Sequence, residues 1–233
     1  MGNLEQDNQK KLGELKHLAV VMDGNRRWAR KNGILEKIGY LHGAKTIQKI
    51  IEVCIDEGIT NLTLFAFSTE NWQRPQEEIT YLFNLLEKYL DTSLESFLSN
   101  DVKFRAIGDL SRLDRNLLTK IRSFEEQTKL CNKLCVNVAI SYGAKDEIIR
   151  AVNRTLEKGL PITEQNIQNN LDLNVDVDLL LRVGNAQRIS NFLLWQCAYA
   201  EIFFSDTLFP GLTKRECKKI IKNFKKRERT FGK

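Results

Sequence analysis

Short, nearly continuous apolar runs alternate along this chain with longer amphipathic stretches. Runs near 18–22, 62–67, 102–107, 134–141, 177–181 and 201–205 are too short for helices and end at polar or turn-forming residues, so they predict strands. Between them apolar positions recur at helical spacing near 43–57, 76–99, 112–129, 144–158, 163–171 and 213–229, which predicts helices. Strand and helix in alternation imply an α/β fold, a mostly parallel sheet of about six strands covered by helices. No repeat, low-complexity run or linker interrupts the pattern; Pro161 and the Asn-rich stretch from Gln165 to Asn174 mark a looser surface. The expected organisation is a polar N-terminal extension over 1–16 and a single domain over 17–233.

The helix at 76–99 has an unusually wide apolar arc that includes Ile79, Leu82, Phe83, Leu86, Leu90 and Phe97. Such breadth means burial on two sides, unless one side walls a cavity.

Composition narrows the class. At 233 residues and 42% hydrophobic, the chain can bury a substantial core. Met1 to Lys16 has no apolar segment of the secretory kind, and Gln6 stands where a myristoylation motif requires Ser or Thr. The longest apolar stretch, Phe192 to Phe204, is broken by Gln196 and Glu201 and is too short to span a bilayer. These features predict a cytoplasmic protein. The five cysteines have neither metal-ligand spacing nor a disulfide pattern, so they are expected to be reduced and mostly buried.

A net charge of +6 invites a nucleic-acid reading. Its distribution argues against one, because residues 213–233 hold ten Lys or Arg against two Glu, and the rest of the chain is slightly acidic. That segment has an apolar stripe, Cys217, Ile220, Ile221 and Phe224, which would dock it as a helix with a solvated basic face. A weaker functional reading is attraction to anionic lipid at the membrane surface.

The chemistry sits at three strand ends. The run Leu18 to Met22 stops at Asp23, followed by Gly24-Asn25-Arg26-Arg27-Trp28, where a turn and a helix start would offer N–H groups and guanidinium to an anion, with Asp23 placed to hold Mg²⁺. Equally open on composition alone is a plain turn with Asp23 as an N-cap and solvated arginines. The run Leu62 to Phe67 leads into Ser68-Thr69-Glu70-Asn71-Trp72 and Arg74-Pro75. The third, Val177 to Leu181, ends at Arg182 and is followed by Arg188-Ile189-Ser190 and then Glu201. Functional side chains at the carboxyl ends of parallel strands converge on one crevice.

The strings Met22-Asp-Gly-Asn-Arg-Arg-Trp28, Ala66-Phe-Ser-Thr-Glu-Asn-Trp72, Arg188-Ile-Ser-Asn-Phe-Leu-Leu-Trp-Gln196 and Arg227-Glu-Arg-Thr-Phe-Gly232 together resemble the cis-prenyltransferase family, from about His17 to Gly232. The resemblance implies a hydrophobic tunnel and a Mg²⁺-dependent enzyme that adds isopentenyl diphosphate units in cis geometry to an allylic diphosphate, most simply farnesyl diphosphate. Its product would be a long polyprenyl diphosphate of the undecaprenyl type, the carrier-lipid precursor of cell-wall synthesis, and the enzyme would be a homodimer. Residue by residue, it implies that Asp23 is the metal and catalytic carboxylate and that Gly24, Asn25, Arg26 and Arg27 hold the allylic diphosphate. Arg182, Arg188, Ile189 and Ser190 would hold isopentenyl diphosphate, Asn71 would assist proton removal, and Glu201 would be a second metal ligand. Ser68, Thr69, Glu70, Trp72 and Arg74 would line the same place, with Trp28 and Trp72 against the prenyl chain or a lid. By the same resemblance Leu134 would be the tunnel floor.

Several positions depart from the family pattern. Registered on Gly39, Glu36 and Tyr40 stand where an arginine and a histidine are usual, and Val183-Gly-Asn-Ala186 replaces Thr-Gly-Gly-Glu, with Gln187 at a histidine position. The resulting loss of polar groups would make Glu201 more critical. The departures keep open a non-catalytic prenyl-binding or scaffold subunit of the same fold. A phosphate-transferring enzyme finds no support, for no Walker-type glycine loop occurs.

Overall fold

The computed structural model describes residues 14–227. Six strands form one all-parallel sheet: β1 (His17–Val21), β2 (Asn61–Ser68), β3 (Val102–Ile107), β4 (Leu134–Tyr142), β5 (Leu179–Arg182) and β6 (Glu201–Phe204), in the order β3-β4-β2-β1-β5-β6. Seven α-helices are described: α1 (Asn25–Lys31), α2 (Glu36–Asp56), α3 (Gln76–Ser99), α4 (Arg115–Thr128), α5 (Ala144–Glu157), α6 (Glu164–Asn170) and α7 (Lys214–Phe224). The central strands are largely apolar because both faces are covered, with Thr63 and Asn137 as buried polar exceptions. Along β1, Leu18 and Val20 enter a core shared with α2, α3, α4 and α7, while Ala19 and Val21 face a smaller core with Phe192 and Ala144, the first residue of α5.

Connections run from β1 to β2 on one side and place β5 on the other, so the chain's direction of winding changes beside β1. Val21 pairs with Arg182, which puts the ends of β1 and β5 side by side at this switch point, where open α/β sheets place ligands.

Several element bounds differ from expectation. Helix α2 begins at Glu36, not near 43; its first turns include Ile38 and Leu41 but are interrupted by Gly39 and Gly43. Pro75 precedes α3 as its cap residue. Ser190, Asn191 and Leu193 adopt positive φ of 53°, 60° and 48°, folding the segment after β5 into successive turns. Helix α7 ends at Phe224, and residues 228–233, including most of the fourth family string, lie outside the described part, as do 1–13 of the expected extension.

The basic face of α7 is partly spent within the fold. Lys214, Lys218 and Lys225 pair with Glu52, Asp56 and Glu57 at the end of α2, two of these contacts at 2.8 Å. No described helix is long and apolar enough to cross a membrane. Cys54 and Cys217 are buried, while Cys131, Cys135 and Cys197 are half-buried, and all five are free thiols.

Candidate active site

A cavity of about 890 Å³ opens at the carboxyl ends of β1, β2 and β5 and runs between the sheet and helices α2 and α3. Its mouth is polar: Asp23, Arg26, Arg27, Glu70, Asn71 and Arg188 line it. Its body is apolar, formed by Leu82, Leu85, Leu86 and Phe97 of α3 and by Phe104, Val136 and Val138 from the sheet. The wide arc of α3 therefore serves both readings, core on one side and cavity wall on the other. Leu134 is fully buried one pleat beyond Val136 on the same strand face, behind the deepest lining residues and not among them.

Asp23 lies just past the end of β1, and Gly24 (φ 104°) makes the turn that starts α1. Helix α1 is then pressed against α2: a Cβ on Gly39 would lie 2.2 Å from the Asn25 carbonyl oxygen, so only glycine permits this approach. The Asp23 carboxylate is gripped from both sides. Arg27 donates to Oδ1 at 2.9 Å and Arg182 donates to Oδ2 at 2.9 Å.

Arg182 and Arg188, expected to act as a pair, are different in kind. Arg182 is only 4% exposed and also donates to the Arg188 carbonyl at 2.8 Å and to Ser190 Oγ at 2.7 Å. Its terminal nitrogens are committed to the protein, so it fixes Asp23 and the 188–190 turn relative to each other. The Arg188 guanidinium is exposed at the mouth and has no hydrogen bond or ion pair among the described residues, which leaves its full fork for an anion.

On the β2 side, Asn71 Oδ1 accepts from the Ser68 N–H at 3.1 Å, which leaves its amide group for another acceptor. Burial tends to raise the carboxyl pKa of Glu70, but hydrogen bonds from its own N–H, Ser68, Asn191 and Thr69 outweigh this and hold it below the ordinary range. Asn191 bridges the two sides of the site, donating to Glu70 at 3.2 Å while its own side-chain oxygen accepts from the Lys145 N–H at 3.0 Å.

Tyr40 and Glu36 are part of one ion-pair network over the mouth. Arg26 and Arg30 each donate Nε to Glu36, at 2.5 and 2.6 Å; Glu78 accepts from Tyr40 at 2.8 Å and from Arg74 at 3.0 Å, and lies 3.5 Å from Arg26. Burial and the bond to Glu78 push the Tyr40 phenol up to about 12, so it remains a donor at neutral pH.

Thus the structure brings Asp23, Gly24, Asn25, Arg26, Arg27, Ser68, Glu70, Asn71, Arg74, Arg182, Arg188 and Ser190 to one cavity. Five assigned residues stand apart from the cavity lining. Trp28 tilts against His42 with ring centroids 4.7 Å apart, and Trp72 sits behind Phe67 and Phe83, bonded to Ser141 Oγ at 2.9 Å; neither lines the cavity. Thr69 opens the 3-10 turn that follows β2, and Ile189 packs into the smaller core. Glu201 is the most displaced. It begins β6, level with Leu179, whereas Asp23 follows the opposite, carboxyl ends of the strands, and Glu201 is paired with Arg227. Within one chain it cannot share a metal ion with Asp23, because a parallel sheet separates the two ends of its strands.

Arg30, Tyr40 and Asn191 line the mouth without having been assigned a role from sequence. Arg30 and Asn191 lie beside or in a quoted string and Tyr40 was marked only as a departure from the family pattern, but nothing in composition marks which of these residues turn inward. No cluster of three or more Asp, Glu, His or Cys suited to a metal occurs among the described residues. One carboxylate at an anion-binding mouth fits a Mg²⁺ carried on substrate diphosphate, since Mg²⁺ is commonly held by one or two carboxylates together with phosphate oxygens. It does not fit a metal caged by the protein alone.

Residues 21–232 match the family described as putative undecaprenyl diphosphate synthase. An isoprenyl transferase of Campylobacter jejuni (strain RM1221) is 65% identical over 95% of this chain and 100% of that protein, and an isoprenyl transferase of Wolinella succinogenes is 46% identical over 96% and 99%. Among solved structures, a probable undecaprenyl diphosphate synthase from Campylobacter jejuni superposes with TM-score 0.84 at 62% identity, covering 94% of this chain and 99% of that one. Lavandulyl diphosphate synthase from Lavandula x intermedia, in complex with dimethylallyl diphosphate, superposes with TM-score 0.90 at 29% identity, covering 94% and 98%.

Proposed function

This chain belongs to the cis-prenyltransferase family, and on that premise we propose that it condenses isopentenyl diphosphate in cis geometry onto an allylic diphosphate, farnesyl diphosphate in the first instance, to give a long polyprenyl diphosphate. One observation carries this reading: a mouth rich in arginine and carboxylate opens directly into an apolar cavity of about 890 Å³. A diphosphate ester of a long hydrocarbon has this same division.

Arg27 and the first-turn N–H groups of α1 bind the allylic diphosphate, and Asp23 fixes Arg27 in place. Arg188, unpaired and exposed, takes the diphosphate of the incoming isopentenyl unit, while Arg182 holds Asp23 and the Ser190 turn at a constant separation. The leaving pyrophosphate gains negative charge as its bond to the allylic carbon breaks, so donors aimed at it lower the barrier. Asp23 would hold Mg²⁺, which would supply additional positive charge at that leaving group. Asn71 presents its amide near the junction of the two substrates and orients a diphosphate oxygen or water for the departing proton, an amide being too weak a base to remove it alone. The apolar walls store the growing chain, each buried CH₂ contributing roughly 0.8 kcal/mol.

The same proposal places the enzyme in the cytoplasm as a homodimer supplying the carrier lipid for cell-wall synthesis. Exposed Tyr199, Ile202 and Phe204 at the β6 edge favour association, and exposed Arg215, Lys219 and Lys222 on α7 favour contact with anionic lipid during release. The test is incubation with farnesyl diphosphate, labelled isopentenyl diphosphate and Mg²⁺, with products separated by length. Long labelled chains are expected. A folded protein that binds the substrates and yields no labelled chain would instead be a prenyl-binding scaffold.

A further inference from the structure

Arg26 and Arg30 stand one helical turn apart on α1 and both line the cavity mouth. Two like charges at this spacing repel and would normally splay apart into water. Here they do not, because Glu36 arrives from the first turn of α2 and divides its carboxylate between them: Oε2 accepts from Arg26 Nε at 2.5 Å and Oε1 from Arg30 Nε at 2.6 Å. The contact uses the inner nitrogen of each guanidinium. The terminal nitrogens of Arg30 have no partner among the described residues, and Arg26 reaches only the more distant Glu78 at 3.5 Å.

We infer that Glu36 is a built-in counter-anion, a positioning residue that holds Arg26 and Arg30 at the mouth while weakening their pull on a bound diphosphate. This rests on reading the mouth as a diphosphate site. The carboxylate is charged at neutral pH, since hydrogen bonds from Arg30 and Arg26 keep it below the ordinary carboxylate range. Its negative charge lies against the two arginines that line the mouth, so an anion bound by them is repelled by Glu36 as well as drawn by the arginines. An enzyme that extends one chain repeatedly must let pyrophosphate go after each addition and finally release a diphosphate-bearing product. A mouth with all its arginines uncompensated would hold both too long. Glu36 therefore acts on grip and release, with no contact to the reacting carbon.

The test is Glu36→Gln, which keeps side-chain length and one acceptor oxygen and removes the charge. Binding of inorganic pyrophosphate and of farnesyl diphosphate is measured by calorimetry across a salt series, with Glu57→Gln as a control for the same charge change away from the mouth. Glu36→Gln should bind both ligands about three- to tenfold more tightly at low salt, and the gain should shrink as ionic strength rises. Its KM for the allylic partner and its kcat should fall together, because release slows. Glu57→Gln should leave both affinities unchanged. Equal or weaker binding by a folded Glu36→Gln, while wild-type protein binds normally, would overturn the inference and leave the diphosphate site standing. Failure of the wild-type protein to bind either ligand would overturn the site itself, and the inference with it.

Discussion

The two flanks of the cavity mouth use arginine in opposite ways. On the α1–α2 side Arg26, Arg27, Arg30 and Arg74 are each paired with Asp23, Glu36 or Glu78 before any ligand arrives. On the β5 side Arg182 is buried with both terminal nitrogens engaged, while the Arg188 guanidinium stands exposed and without a partner among the described residues. Pre-paired arginines lose little freedom on binding and so define geometry, but much of their charge is already compensated. An unpaired arginine contributes net attraction and must be ordered by the ligand it captures. The comparison assigns orientation to one flank and capture to the other, with Asp23, held by Arg27 from one side and Arg182 from the other, as the hinge between them.

The most damaging way to break this arrangement is Asp23→Ala. Turnover should fall on the order of a thousandfold at saturating Mg²⁺, because the leaving-group end of the site loses its carboxylate and Arg27 its guide. Allylic diphosphate binding, measured separately, should survive. Near-normal turnover would remove Asp23 from the chemistry.

Arg182→Ala and Arg188→Ala sharpen the comparison directly. Arg188→Ala should weaken isopentenyl diphosphate about 10- to 100-fold, as expected for lost hydrogen bonds to a charged group, with an unchanged thermal melt. Arg182→Ala leaves Asp23 and the Ser190 turn without their tie and should cost about 2–4 kcal/mol of stability, with both substrates affected. If the two variants behave alike in both melt and kinetics, the division between buried strut and free ligand is wrong.

A smaller effect on chemistry is expected at the closed end. Leu134→Ala removes bulk immediately behind Val136, so products should lengthen by one or more isopentenyl units while the melt falls by an amount equivalent to about 2–5 kcal/mol. A lowered melt with unchanged product lengths would show that Val136 and Phe104 close the cavity unaided.

The sequence was most legible where burial is two-sided. Strands β1 and β4 appear as largely apolar runs because neither face meets water, and the order of the strands with the helices was enough for the sheet. Which end of a strand a residue occupies in space was harder to see. Glu201 opens β6 and Asp23 follows β1, a distinction that linear order expresses only if strand bounds and parallel register are both known. The turns at Ser190 to Leu193 were unreadable for another reason: of the three left-handed residues only Asn191 is of a type that favours that backbone, and Ser190 and Leu193 have no compositional mark. Likewise Arg182 and Arg188 are the same letter six residues apart, and only packing buried one as a strut and left the other exposed at the mouth.

The contact at Gly39 has a wider meaning for how this site is inherited. The distance between α1 and α2 is set by an absent atom, and that distance determines where Asn25, Arg26 and Arg27 point. No reagent, inhibitor or substrate analogue would reveal Gly39, since it touches none of them. An added methyl there would nonetheless wedge the helices apart and detune several arginines in concert. Position 39 works as a gauge block: chemically silent, and the reference from which the working surfaces of the mouth take their alignment.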